Sequence, residues 1–239
     1  MITFNNKQRS QQIELMDDID FRGEEMKNLL GDLKTVNKWL GGNSITLDGI
    51  EKLLGNNSKN DQIIILDIGC GDGELLRKCA EFGKKNNLNF HCIGLDFNEN
   101  ILKIAEQKSE DYSNITFKKV DIFLDEKLIP NSDIALCTLF LHHFSNEKIV
   151  GLLKTILNKT KLGIVVNDLH RSKQAFNLFK IASNLFLKTK TAKHDGLVSI
   201  ARGFKKHELE EISIKIPNQK SEIHWRWAYR YQWILKKEL

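Results

Sequence analysis

From residue 62 onward, apolar positions gather in short unbroken runs separated by amphipathic stretches. The runs are QIIILDIG (62–69), NFHCIGLD (89–96), NITFKKVD (114–121), SDIALCTLFL (132–141) and KLGIVVNDLH (161–170). Runs of this length, bounded by polar or glycine-rich turns, predict strands buried on both faces. The stretches between them predict a helix from about 73 to 86, one capped by Asn98 up to about 109, and one over 146–157. This alternation predicts an α/β fold with a mostly parallel sheet and helices on both faces.

The flanks have a different texture. Ile13, Met16, Met26, Leu29, Leu30, Leu33, Val36 and Leu40 recur at helical spacing, and Gly41-Gly42 ends that stretch. A second short helix over 46–54 ends at Gly55. Residues 1–58 read as a helical N-terminal segment of a single domain spanning 1–239. Past the fifth strand, Ala175, Phe176, Leu178, Phe179, Ile181 and Leu185 predict a helix over 172–189, and another is predicted over 204–212. ISIKI (212–216) and EIHWRWAYRYQWILK (222–236) suit two final strands. The latter alternates Trp225, Trp227, Tyr229, Tyr231 and Trp233 with polar residues, a period of two whose aromatic row suits packing against a helix.

Composition adds exclusions. A hydrophobic share of 41% and a charged share of 28% are ordinary for a globular domain. No apolar run reaches the ~18 residues of a membrane span, and the first residues hold no signal-peptide core. The cytoplasm is the expected location. Cys70, Cys79, Cys92 and Cys137 form no CxxC pair and no zinc-type cluster, so reduced thiols are expected. The net charge of +5 comes from scattered lysines, which suits a solvated surface and not a nucleic-acid footprint.

The chemistry concentrates at the strand ends. In ILDIGCGDGELL (65–76), Gly69, Gly71 and Gly73 follow a strand directly and precede a helix directly. Glycines there allow a tight turn and a close ligand approach. Asp96 ends the second strand, where a carboxylate can accept from both hydroxyls of a ribose, and Asp121 ends the third. Asp67, Asp72 and Glu74 around the turn would repel a pyrophosphate and suit a ligand carrying an ammonium and a sulfonium.

With LDIGCGDG at 66–73, LD at 95–96, VDI at 120–122 and LHHF at 141–144, residues 62–168 resemble the class I S-adenosylmethionine-dependent methyltransferases. The resemblance implies a Rossmann-like seven-stranded sheet of order 3-2-1-4-5-7-6 with the last strand antiparallel. It implies S-adenosyl-L-methionine as cofactor. It assigns Asp67, Gly69, Cys70, Gly71 and Gly73 to the methionine part, Asp96 to the ribose, and Phe97 to the adenine face. Asp121 and Ile122 would read the adenine edge, with Thr138 on the far side.

Acceptor classes are narrowed by what is missing. The fourth strand runs into CTLFLHH, without the proline loop of enzymes that methylate amino groups. It ends in Cys137-Thr138, so Asn167-Asp168 lacks the partner carboxylate of a catechol-type magnesium site, and no metal is expected. The stretch GIVVNDLHRS (163–172) brings Asn167, Asp168, His170 and Arg171 to the acceptor side of the crevice. Asp168 and His170, two apart on a strand, share a face, so the acid could orient the ring. His142 and His143 face the same crevice. Catalytic candidates are therefore His170, His143 and Asp168, with His142, Asn167 and Arg171 near the acceptor.

Residues 167–203 also resemble bacterial small-molecule methyltransferases of phenolic lipid and polyketide synthesis, and more distantly quinone methylases. That resemblance implies a helical lid over 172–203 carrying His194, Asp195, Ser199 and Arg202, with Phe176, Phe179, Ile181 and Phe186 making the pocket apolar. The expected function is O-methylation of a small phenolic or polyketide-derived hydroxyl, on an aromatic or acyl-bearing acceptor. C-methylation of a quinol-type ring and a non-catalytic cofactor-binding domain are the alternatives.

Overall fold

The structure is a computed structural model and describes residues 2–18, 21–39, 41–55 and 61–238. Seven strands form one sheet: β1 Gln62–Ile68, β2 Asn89–Asp96, β3 Ile115–Lys119, β4 Ser132–Thr138, β5 Thr160–Leu169, β6 Gln219–Arg226 and β7 Arg230–Lys237. Their order is β3-β2-β1-β4-β5-β7-β6, with β7 antiparallel to both neighbours and the rest parallel. Among the described residues the α-helices are α1 Gly23–Trp39, α2 Gly42–Leu54, α3 Glu74–Lys85, α4 Glu99–Lys108, α5 Asn146–Lys159, α6 Lys173–Phe186, α7 Lys190–Arg202 and α8 Lys206–Ile214. The strand order and the antiparallel β7 are those the resemblance implies.

The apolar runs bury both sheet faces because alternate side chains point opposite ways. Leu66, Ile68, Leu95, Ala135, Val166 and Trp233 pack under α5 and α8. Ile63, Ile65, Cys92, Leu136, Val165 and Ile234 pack under α2 and α3. Local capping sets helix starts: Asn98 Oδ1 accepts from the N–H groups of Asn100 (2.9 Å) and Ile101 (3.4 Å) to open α4. All four cysteines are free and buried. Among the described residues, no helix is long and apolar enough to cross a membrane.

Three expected elements differ. ISIKI is not a strand: Leu209, Ile212 and Ile216 follow a helical stripe, so residues through 214 close α8 and Ile216 joins the same core. The aromatic run is two strands, not one, folded at 227–229 around Tyr229, whose φ is +56°. Its aromatic row is accordingly split. Trp233 and Tyr231 are buried on the inner strand β7, while Trp225 and Trp227 stay exposed on and beyond the edge strand β6. In the N-terminal segment, Ile13 is exposed and Leu15–Asp17 make only a 3-10 turn, with helix beginning at Gly23. Leu40 lies outside the described residues.

The helices after β5 pack on the N-terminal segment. Phe176 meets Phe4 with ring centroids 5.1 Å apart, and Leu187 and Ala192 cluster with Leu29 and Leu33. Two buried aspartates add polar ties. Asp195 accepts from the N–H groups of Leu15 (2.8 Å) and Met16 (3.0 Å), and Asp32 accepts from those of Lys188 and Thr189.

Candidate cofactor and acceptor site

The loop after β1 is fixed by backbone bonds. The N–H groups of Gly69 and Cys70 both donate to Leu95 O at the end of β2 (2.8 and 3.0 Å). Gly69 and Gly73 adopt φ of +71° and +73°. A Cβ on Gly69 would enter the Phe140 ring, and one on Gly73 would enter Phe117. A Cβ on Gly71 would meet nothing. Gly71 is left-handed as well, with φ of +54°, so all three glycines fix the turn, and Gly71 also leaves room for a ligand.

This turn is one wall of a cavity of about 500 Å³. Gly69, Cys70, Gly71, Asp96, Phe97, Asp121, Ile122 and Thr138 all line it. Asp96 is braced: its Oδ2 accepts from Gly71 N–H (3.1 Å) and its Oδ1 from Asn98 N–H (2.9 Å). Asp121 Oδ1 accepts from the N–H groups of Phe123 (2.9 Å) and Leu124 (3.2 Å), which holds the turn after β3. Gly73 caps α3 behind the wall.

Asp67, expected at the cofactor, lies behind the turn and is not among the residues lining the cavity. It is buried, its Oδ1 has no hydrogen-bond partner, and burial together with the Asp96 charge pushes it up to about 8. A buried carboxylate oxygen without a donor is costly unless a partner arrives. A cationic ligand answers that need. The residues lining the cavity fit S-adenosylmethionine, whose methionine part would lie on the glycine turn with Asp67 buried behind it and whose ribose would face Asp96.

The other end of the cavity carries aromatic rings and imidazoles. Phe140 and Phe144 make an edge-to-face pair with centroids 5.0 Å apart, and Phe123 meets Phe144 at 4.8 Å. His143 lines the cavity, with Nδ1 3.1 Å from the Asp17 carboxylate and Nε2 3.9 Å from Glu14 Oε1. His142 is buried behind it, with Nδ1 2.7 Å from Asp168 Oδ1 and Nε2 3.2 Å from Glu14 Oε1. Burial opposes charge on His142, but the Asp168 and Glu14 carboxylates outweigh it and push the ring up to about 9. Arg202 steadies the turn: it donates to the carbonyls of His142 (3.1 Å), His143 and Gln12 (2.9 Å), and Arg9 Nη2 donates to His142 O (2.8 Å).

Several expected acceptor residues sit elsewhere. His170 is not among the residues lining the cavity. Its ring lies beside Tyr231 (5.1 Å between centroids), and its Nδ1 accepts from Trp225 Nε1 (3.3 Å). Burial and the nearby Lys205 and Arg171 charges push it down to about 4. The expected Asp168–His170 pair is absent because Asp168 faces the turn after β4, where it holds His142 and accepts its backbone N–H (3.2 Å). Asn167 is buried and donates to Gly42 O (2.8 Å) and Thr46 Oγ1 (3.0 Å), joining α2 to the sheet. Arg171 is buried in a two-pronged pair with Glu208 (2.7 and 2.9 Å) and donates to Gly203 O. His194 pairs with Asp195 at 2.9 Å, outside the cavity lining.

The roof is also not the expected one. Leu30, Leu33, Lys34 and Asn37 of α1, with Met16 and Asp17, cover the cavity, and no residue of 172–203 lines it. Phe176 and Phe179 are turned toward the N-terminal segment, and Ile181 and Phe186 are exposed. Glu14, Asp17 and the α1 face carry no local motif. Glu14 sits 128 residues from His142 in sequence, and only the folded chain joins them.

A glycine turn after β1, acids at the tips of β2 and β3, and the order β3-β2-β1-β4-β5-β7-β6 are the fold and strand-end pattern of the class I S-adenosylmethionine-dependent methyltransferases. Residues 59–226 match the family described as "Methyltransferase domain", and the chain belongs to that family. It is 25% identical over 147 residues to carboxy-S-adenosyl-L-methionine synthase 1 of Yersinia pseudotuberculosis, a match covering 58% of this chain and 59% of that protein. The chain thus spans about three fifths of the length of that relative. It is 31% identical over 109 residues to O-methyltransferase 12 of Dictyostelium discoideum, covering 44% of this chain and 27% of that one. Among solved structures, it resembles the plantazolicin methyltransferase BpumL in complex with SAH, with a TM-score of 0.66 and 14% identity over 90% of this chain and 94% of the other. At that identity the likeness shows the fold alone.

Proposed function

We propose that the chain methylates a hydroxyl of a small phenolic or polyketide-derived acceptor at the His143 end of the cavity, in the cytoplasm. The observation that supports this reading is the juxtaposition there of an aromatic wall with an imidazole backed by two carboxylates. An apolar, aromatic-lined recess with a few convergent polar groups suits a planar acceptor carrying one reactive hydroxyl. The likeness to a Dictyostelium O-methyltransferase is consistent with oxygen as the atom methylated.

Bound S-adenosylmethionine supplies an electrophilic methyl group on its sulfonium. The glycine turn, with Asp67 buried behind it, would hold the methionine part, and Asp96 would hold the ribose. Phe140 and Phe144 orient the acceptor ring, and His143 takes the proton from its hydroxyl as the new O–CH3 bond forms and the C–S bond breaks. Asp17, on the other ring nitrogen, stabilises the imidazolium that results. The His143 imidazolium then returns its proton to water. His142 and Asp168 position His143 from behind and touch no reactant.

A methyl-transfer screen with labelled cofactor against phenols, quinols and hydroxypyrones tests this reading. A phenolic methyl ether, identified by NMR of the product, is expected. A ring-methylated quinol as the sole product would replace O-methylation by C-methylation.

A further inference from the structure

We propose that Glu14, His142 and His143 bind one divalent transition-metal ion at the acceptor end of the cavity. Their ligand atoms all lie within 4.8 Å of one another. Glu14 Oε1 is 3.2 Å from His142 Nε2 and 3.9 Å from His143 Nε2. Tetrahedral zinc with bonds near 2.1 Å separates its ligand atoms by roughly 3.4 Å, so these spacings bracket what one ion needs.

The supporting groups point the same way. A metal-bound histidine commonly gives its second ring nitrogen to a carboxylate, which fixes the ring. Both histidines have that arrangement, His142 Nδ1 with Asp168 (2.7 Å) and His143 Nδ1 with Asp17 (3.1 Å). Each ring is thereby held so that its Nε2 faces Glu14. Glu14, Asp17 and Asp168 supply three carboxylates to the cluster, while Arg9 and Arg202 direct donors to the backbone carbonyls of Gln12, His142 and His143. Arg202 approaches Asp17 only at 3.8 Å. Ser199 Oγ donates to Glu14 Oε1 (2.8 Å) and helps set its orientation.

Two imidazoles and one carboxylate suit zinc, iron(II), cobalt or manganese better than magnesium, which prefers oxygen ligands throughout. Glu14 and His142 are buried, whereas His143 and Asp17 line the cavity. The cluster therefore borders the acceptor space, and a fourth position on the ion is reached from it. This differs from the strand-end magnesium site considered from sequence, because its carboxylate comes from the N-terminal segment. Binding itself does not depend on the proposed function. Its consequence does: with the ion in place, His143 Nε2 is a ligand and no longer takes the proton, and the acceptor's hydroxyl, its oxygen facing the cation, is acidified and releases its proton to water instead.

The test uses the full chain, stripped with a chelator, checked by circular dichroism, and titrated with Co2+ and Zn2+ by calorimetry and by visible absorption. One equivalent should bind, with the intense visible bands of low-coordinate cobalt. Glu14→Gln and His143→Gln should each weaken binding ~100-fold or more, and Asp168→Asn by roughly 10–100-fold. Glu222→Gln, at an exposed Glu222–His224 pair, should change nothing. Absence of saturable binding overturns the proposal, as does equal affinity in folded Glu14→Gln and His143→Gln. Methyl transfer by fully metal-free protein would reject the ion's role and leave the methyltransferase reading standing. One bound ion with no transfer to any acceptor would leave the binding site standing and reject the methyltransferase reading.

Discussion

The two ends of the cavity are built in different ways. At the end proposed for the cofactor, Gly69, Gly71, Asp96 and Asp121 stand at the tips of β1, β2 and β3, and much of the geometry is backbone. At the end proposed for the acceptor, Glu14, Asp17, His142, His143, Asp168 and Arg202 form a network drawn from four distant stretches of chain. A site made by strand ends tolerates change everywhere except at a few backbone positions. A site made by a buried network couples binding, chemistry and stability.

The largest predicted effect is at His143. His143→Ala should lower turnover ~100-fold or more while SAH affinity, measured by calorimetry, stays within about 2-fold. Next, Asp96→Ala should weaken SAH binding by roughly 10–100-fold, from the loss of charged hydrogen bonds worth about 1.5–3 kcal/mol. These two variants divide the cavity cleanly if the ends are independent.

Arg171→Ala sharpens the comparison differently. It leaves Glu208 without its partner, and breaking a buried pair costs about 3–5 kcal/mol. Near 240 residues that corresponds to a fall in Tm of roughly 10 °C, read by calorimetric melting. Activity per folded molecule should be unchanged, because Arg171 does not line the cavity.

The contrast also explains what could be read from the sequence. Gly69, Gly71, Asp96 and Asp121 come together along one cavity wall as their place at strand ends leads one to expect, because each sits at a fixed offset from an apolar run, while Asp67 and Gly73 lie behind that wall. Strand identity and strand tip are written in the same few residues. GIVVNDLHRS gives its strand correctly but not the destinations of its polar groups. Asp168 turns to His142, Arg171 to Glu208, and Asn167 to α2, since each satisfies a buried partner that no local pattern names. The ISIKI run misleads because a strand period and a short helical stripe look alike over five residues. The aromatic run misleads because one uninterrupted period-two pattern continues through a turn.

A smaller effect concerns pH. Asp67 is held at about 8 in the ligand-free protein, above the ordinary carboxylate value. To hold a cationic methionine group it must be ionised, so below pH 8 binding has to expel a proton. SAH affinity should therefore fall as pH drops from 8 toward 6, by up to about tenfold per unit, and Asp67→Asn should flatten that slope. Calorimetry across this range checks it. Smallest of all is His170→Ala. Its ring is neutral and lies against Tyr231, so turnover should stay within about 2-fold in the steady-state assay.

The most direct measurement is the pair of constants for His143→Gln: the rate of labelled methyl transfer and the Kd for SAH, on the same preparation. The account predicts a collapse of transfer with cofactor binding preserved. Full transfer in this variant would contradict it, and so would loss of SAH binding in parallel with activity, since either result would remove the separation between the two ends of the cavity.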